Sequence, residues 1–580
     1  MTLPTDKMPA MRLLLILIAG AGLSMAENST VPGEVSAPYP TITNLSLEWM
    51  IEGDDNLNGV VTVQFRAAGE RTWREGMPLR RVPAGEGRTT QVPFHWPNKH
   101  SGSIFDLRPN TEYEVRLALN DPDGGAATRM IRVRTRPVPR AAANATTRRV
   151  TPETIARPAA PGEILLLEPG DYGRFAAPSD GEADRPIVYR AQGSGAVFDS
   201  IVLDNRQYVY LEGVTVRTKV SEANPRGTAI SMRGAVGCVV RRSRIDAVYG
   251  IQASNPPGCT NCYIADNVIT GTTPWTPEAM GANGKNIGEG IQLTGPGNVI
   301  VFNRVTGFRD CISNMEDRNA YNQFSIDILN NDVYTGSDDG IEADFCFHNC
   351  RVMRNRITNS FVGLSSQPGL GGPTYFIRNV MYNLTYVPFK LHRYSKGDVI
   401  LHNTTVKVGD GMACFARQPF DFAYFRNNLS IGGPSGGVKW GGYGGGNGMA
   451  ANMVAPGPHT SFDYDAVGTL QTPFSARIGE RDFFDVEPHG IRVDMSVFDP
   501  AVEFPNPPLP EREPADLRPR PGSKVVDAGV RIPQVNDDYL GSAPDIGAFE
   551  ASQALPIYGP RPEGVDEETA YRATPRRTKN

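Results

Sequence analysis

The residues of this 580-residue chain that could do chemistry together are a set of acids and one lysine. Asp310 precedes Cys311-Ile312, and the run Asp338-Asp339-Gly340-Ile341-Glu342 follows, with Asp344 just beyond it. Lys390, His392 and Arg393 come later in the chain. Carboxylates gathered in one place repel, so such a cluster needs a cation or a shared proton. Asp310, Asp338, Asp339 and Glu342 offer the oxygen ligands that suit a hard cation such as Ca²⁺. A lysine beside them can act as a base if nearby cations or loss of water lower its pKa, and Arg393 is placed to do both. Acid pairs also suit glycoside hydrolysis, which needs two carboxyl groups roughly 5–9 Å apart.

These residues meet only if the fold brings them into register. Asn331, Asn355, Asn379, Asn403 and Asn427 recur every 24 residues, each followed closely by an apolar position. No helix-period stripe accompanies them, and the repeats are rich in β-branched residues, Gly and Asn. That pattern predicts an all-β solenoid, with one turn of a right-handed parallel β-helix per repeat. Asn or Gly is expected at the positive-φ corners, with the Asn amides stacked on one another.

Register then turns sequence into a surface map. Glu289-Gly290-Ile291, Asp310-Cys311-Ile312, Asp339-Gly340-Ile341 and Val362-Gly363-Leu364 align, with Pro388-Phe389 at the equivalent place. Side chains alternate along a strand, so Gln292, Ser313, Glu342, Ser365 and Lys390 form one outward column. Thr294, Met315, Asp344, Gln367 and His392 form its neighbour. Two coils at about 4.8 Å each separate Glu342 from Lys390.

The rest of the chain bounds the setting. It is 40% hydrophobic and 21% charged with a net charge of -5, a globular balance that does not favour nucleic acid. Residues 1–26 read as a signal peptide: Lys7 and Arg12, the apolar run Leu13–Ala21, then Ser24-Met25-Ala26. A secreted or periplasmic protein with no membrane span after cleavage is expected. Its oligomeric state is left open. Residues 35–137 alternate like a β-sandwich, 138–150 form a Pro/Ala/Arg linker, 151–550 form the solenoid, and 551–580 are expected to be a disordered tail. The 7 cysteines all lie in the solenoid and are expected as buried thiols or as one or two disulfides. Trp440, in the Gly-rich loop Gly432–Gly448, sits either in a flexible connection or where it can stack on a sugar.

Three resemblances sharpen the reading. Leu107-Arg108-Pro109-Asn110-Thr111-Glu112-Tyr113 resembles the tyrosine corner of fibronectin type III modules. Gly162–Tyr172 resembles the opening coil of secreted right-handed β-helix enzymes that act on polysaccharides. Ser337-Asp338-Asp339-Gly340-Ile341-Glu342, followed by Phe389-Lys390-Leu391, is similar to the calcium-dependent family 9 pectate lyases. The last resemblance implies Asp310, Asp338, Asp339 and Glu342 as Ca²⁺ ligands and Lys390 as the proton-abstracting base. His392 and Arg393 would stand beside that base, and Glu289, Asp344, Gln367 and Trp440 would contact the polysaccharide. The chain departs from that family in having Glu342 for an Asp, His392 where Gly is common, and an extra coil before Lys390. The expected activity is β-elimination on an acidic polysaccharide. A glycoside hydrolase on the same fold and a non-enzymatic carbohydrate-binding or adhesin solenoid are the alternatives.

Overall fold

The computed structural model describes residues 27–88, 93–254, 256–314 and 322–570. The expected signal peptide lies outside them, as does Met315. The chain forms a parallel β-solenoid of about 13 turns. One face is a 13-stranded parallel sheet running from Thr146–Val150 to Ser461–Asp463, and the remaining faces form a 23-stranded sheet. Each coil adds a residue to continuous internal files. One runs from Leu165 through Ile264, Ile300, Ile328, Val352 and Phe376 to Phe462, all buried. Such files remove about 25 cal/mol of apolar surface per Å² from water, and that burial drives coil stacking.

The asparagine period is a structural column. Asn267, Asn303, Asn331, Asn355, Asn379, Asn403 and Asn428 are buried, and each Nδ2 donates to Oδ1 of the next at 2.9–3.0 Å. Each backbone N–H donates to the same oxygen. Two expectations are corrected here. The positive-φ corner is not the stacked Asn but the residue before it: Phe302, Asn330, Arg354, Arg378 and His402 lie at φ 53–56. Asn427 takes that corner position at φ 61, so Asn428 enters the column in its place. The column ends on Asp465, which accepts from Asn428 at 2.8 Å, and Asp465 N donates to Glu487.

The N-terminal unit has nine strands: β1 (Thr30–Ser36), β2 (Leu45–Gly53), β3 (Val60–Ala67), β4 (Arg74–Val82), β5 (Gly85–Arg88), β6 (Pro93–Trp96), β7 (Lys99–Ile104), β8 (Glu112–Asn120) and β9 (Ala127–Arg134). Seven form one antiparallel sheet in the order β1-β2-β7-β4-β3-β8-β9. It rolls around Trp49, Phe65, Tyr113 and Leu117, and β1 approaches β9. Two separate facing sheets were expected. Here β4 pairs with both β3 and β7, joining the halves into a barrel-like sheet. The Tyr113 hydroxyl accepts from Arg108 N at 2.8 Å, the corner contact read from the sequence.

This unit is packed hard onto the solenoid. Arg351, fully buried, pairs with Asp327 and donates to Ser46 and Ser103 at 2.9 and 3.1 Å. Asp327 also accepts from Thr41 and Asn44. Ile42, Met77, Phe105 and Val138 share one apolar cluster with Val188, Tyr263 and Tyr375 of the solenoid. The loop closed by the Cys346–Cys350 disulfide presents Phe347 to Trp96, His348 to Lys99 and Asn349 to Ser103. The other five cysteines are buried thiols.

Of the segment 551–580, expected as a disordered tail, residues 551–570 are described and are packed onto the solenoid. Arg561 pairs with Asp266 at 2.7 Å, and buried Glu567 takes Arg241 and Arg242. Asp266 and Arg241 are buried ionic groups that need pairing, and a polar segment supplies it. No helix of the described residues is long and apolar enough to cross a membrane.

Candidate functional site

Three long strands build the site: Asp332–Glu342, Arg356–Ser366 and Val380–Leu391. Their pairing sets the columns. Gln292, Ser313, Glu342, Ser365 and Lys390 follow one another in register, as the alternation predicts. Ile291, Ile312, Ile341, Leu364 and Phe389 fill the core behind them. The register slips between Gly336 and Asp339, so the strand bends where Asp338 and Asp339 stand.

The acids divide into three groups. Carboxylate oxygens of Glu289, Asp310 and Glu342 lie within 4.8 Å of one another. Asp338 is bound by Arg309 at 3.1 Å, and Arg309 also lies 3.5 Å from Asp310. Asp339 pairs with Lys390, whose Nζ is 3.7 Å from Glu342. Asp339 N donates to Asp310 at 2.9 Å, and Ser313 Oγ donates to Glu342 at 3.0 Å. The expected four-ligand set is therefore rearranged. Glu289, read as a substrate contact, joins Asp310 and Glu342, while Asp338 and Asp339 are engaged by cations. Lys390 spans the intervening coil with the length of its own side chain.

The flanking residues follow the register less closely. Asp344 accepts from Ser365 Oγ and from Gln367 N at 2.9 Å, so Gln367 meets the site through its backbone. His392 Nδ1 accepts from Arg417 N at 3.2 Å, and its ring lies 4.7 Å from Phe415. Arg393 sits in a turn at φ 58, half-buried. Trp440 is buried against Trp275, Met280 and Phe361, so its ring is packed rather than offered to a sugar. The loop carrying Trp275 is tied in by Gly281 N to Ser337 O at 2.7 Å and by Asn283 to Gly441. Tyr386 and Phe415, which the sequence does not mark, and Tyr443 of the Gly-rich loop are half-buried rings packed on the Trp275–Phe361–Trp440 cluster, with Phe415 beside Lys390. Phe415 was within reach, because it is the next residue in the Lys390 column.

Burial and mutual repulsion set the charges. Burial first, then Glu289, raises Asp310 well above the carboxylate range, and burial with Glu342 does the same to Glu289. Burial and Asp310 push Glu342 up to about 8. Burial pushes Asp339 and Asp344 up to about 7 against the pull of Lys390, and burial with Asp339 pushes Asp338 to about 6. Burial alone would lower Lys390, but Asp339, Asp344, Glu342 and Asp338 outweigh it and raise it well above its ordinary value. The expected lowering of Lys390 by Arg393 is thus reversed, because the acids stand closer. Arg393 acts instead on His392, which burial, Arg393 and Arg417 lower to about 4. His392 is therefore neutral near pH 7.

No protein-family model matches the chain, and no curated protein matches it. Among solved structures, the crystal structure of pectate lyase Pel9A is similar at 17% identity and a TM-score of 0.37, over 70% of this chain and 97% of that one. The catalytic domain of a GH87 α-1,3-glucanase in complex with tetrasaccharides is similar at 11% identity and a TM-score of 0.24, over 80% of this chain and 96% of that one.

Proposed function

We propose that the protein cleaves an acidic polysaccharide by β-elimination in the groove along this outward column. The observation that carries the reading is the juxtaposition of a carboxylate trio, Glu289, Asp310 and Glu342, with outward Lys390 on the same face. The trio fits a hard cation. Its donors are all oxygens, and Glu289 Oε2, Asp339 Oδ1 and Asp344 Oδ2 are buried with no hydrogen-bond donor among the described residues. Glu289, Asp310 and Glu342 would hold Ca²⁺, which when bound would neutralise a uronate carboxylate and acidify the adjacent C–H.

The chain's own residues supply the rest. Lys390 Nζ takes the proton from the carbon next to the uronate carboxylate. The C–H pair becomes the new double bond as the glycosidic C–O bond breaks, and the C–O pair leaves on the oxygen, which becomes a hydroxyl by taking a proton from water or from the Lys390 ammonium. Lys390 must be neutral to do so, which requires that the hold of Asp339 and Glu342 on its proton be relieved, as a cation among the acids would do. Arg309 holds Asp338 and touches Asp310, fixing the acid wall.

A second reading, a glycoside hydrolase, is favoured by the carboxylates of Glu289, Asp310 and Glu342 standing together, where burial and Asp310 raise Glu342 to about 8, the direction a general acid needs. The two separate on products. Incubation with a panel of uronate polymers should yield ultraviolet-absorbing unsaturated ends, lost on chelation. Saturated products with new reducing ends, formed equally well in chelator, would replace the lyase with the hydrolase.

A further inference from the structure

Beyond Lys390, on the side away from the acids, the outward column becomes aromatic. Phe415 pairs in register with Lys390 and points outward, because Cys414 before it is in the core. Tyr386 and Tyr443 stand 5.8 and 6.1 Å from Phe415 and 5.3 Å from each other. Tyr386 stacks on buried Phe361 at 4.9 Å, so its plane is set from behind. All three rings keep part of their surface in water while Trp275, Phe361 and Trp440 beneath them are buried. Arg417 is exposed, with its guanidinium 5.7 Å over the Phe415 ring, and forms no ion pair among the described residues. Its backbone is pinned by the bond to His392.

A rigid, partly wet aromatic patch beside an unpaired arginine has complementary chemistry. The apolar C–H face of a sugar ring covers the aromatic surface at little entropic cost, and a guanidinium binds a carboxylate in a planar fork. We infer that Tyr386, Phe415, Tyr443 and Arg417 form a subsite for one uronate unit, with its ring on the aromatics and its carboxylate on Arg417. One coil separates it from Lys390, about 5 Å along the solenoid axis, so it holds the unit next to the reacting bond. The inference rests on the proposed acidic-polysaccharide groove but is indifferent to elimination or hydrolysis.

The test is retardation of the whole protein in native gels containing polygalacturonate, alginate or a neutral β-glucan, with and without Ca²⁺. The wild type should be retarded by a uronate polymer. Phe415→Ala and Arg417→Gln should each weaken that retardation roughly tenfold at unchanged melting temperature, and Phe415→Tyr should retain it. Wild-type retardation by a uronate polymer with both variants unaffected overturns the subsite alone. An effect of Phe415→Ala without one of Arg417→Gln overturns the carboxylate assignment. Retardation by the neutral glucan only, or by none of the three, removes the acidic-polysaccharide reading and the subsite with it.

Discussion

Lys390 is held by the acids that a catalytic base must be freed from. The ion pair with Asp339 and the nearby Glu342 keep its proton on. A cation among the acids and the Lys390 ammonium therefore compete for the same negative charge. Lys390→Ala is expected to lower turnover roughly 10²–10⁴-fold while tightening Ca²⁺ binding. Calorimetric titration with Ca²⁺ checks this, and a weakened ion affinity would show that Lys390 supports the site. Glu289→Gln should instead weaken Ca²⁺ binding, with activity recovered as Ca²⁺ is raised. Activity measured across a Ca²⁺ series decides it, and a loss that no Ca²⁺ concentration repairs would remove Glu289 from the ligand set. The outward column was legible in the sequence, since alternation and register suffice to place Glu342 and Lys390. The splitting of the acids into three groups was not, because it depends on how far Arg309 and Lys390 reach.

At the scale of the element, the asparagine column is a hydrogen-bond chain in a dry interior. Asn379 donates to Val352 O and Asn403, and accepts from Asn355 through both N–H groups. Asn379→Leu should cost about 3 kcal/mol, because it strands several buried partners at once. An unchanged denaturant midpoint would contradict that. At the column's end, buried Asp465 and Glu487 face each other with Asp465 Oδ2 and Glu487 Oε1 unmatched. Burial, relieved in part by Asn428, pushes Asp465 to about 6, and burial with Asp465 raises Glu487 further. Raised acid pKa values contribute stability that is complete below the ordinary carboxylate range and lost as pH rises through about 6. Asp465→Asn, which supplies a donor where Oδ2 stands, should flatten the melting temperature between about pH 4 and pH 6. A pH dependence equal to wild type would mean that the pair does not titrate there. The 24-residue period made this column readable. The one-residue slip to Asn428 was hidden, since Asn427 has the same side chain but takes the corner.

At the scale of the molecule, the N-terminal unit and the solenoid share a buried interface. Asp327 and Arg351 are fully buried there, and Lys99 meets Glu48 and His348 in the same contact. Composition placed a linker at 138–150, which suggests two separable bodies. Yet Val138 is buried in the shared cluster, and Arg136 donates to Asn261 O at 2.9 Å. A protease nick within 138–150 should leave both parts co-eluting in size-exclusion chromatography. Separate elution without denaturant would show the interface to be weak. Nothing in their spacing marks Arg351 and Asp327, and only their burial against Ser46 and Thr41 makes them an anchor.

What the sequence alone determined is what repeats locally: coil period, strand alternation, and therefore which residues line one outward column. These follow from backbone geometry, which each coil copies from the last. What only the tertiary structure decided is which charges neutralise which, where aromatic rings stay wet, and how the N-terminal unit seats. Those outcomes depend on side-chain reach and on the water excluded when distant segments meet, and neither is encoded in spacing along the chain.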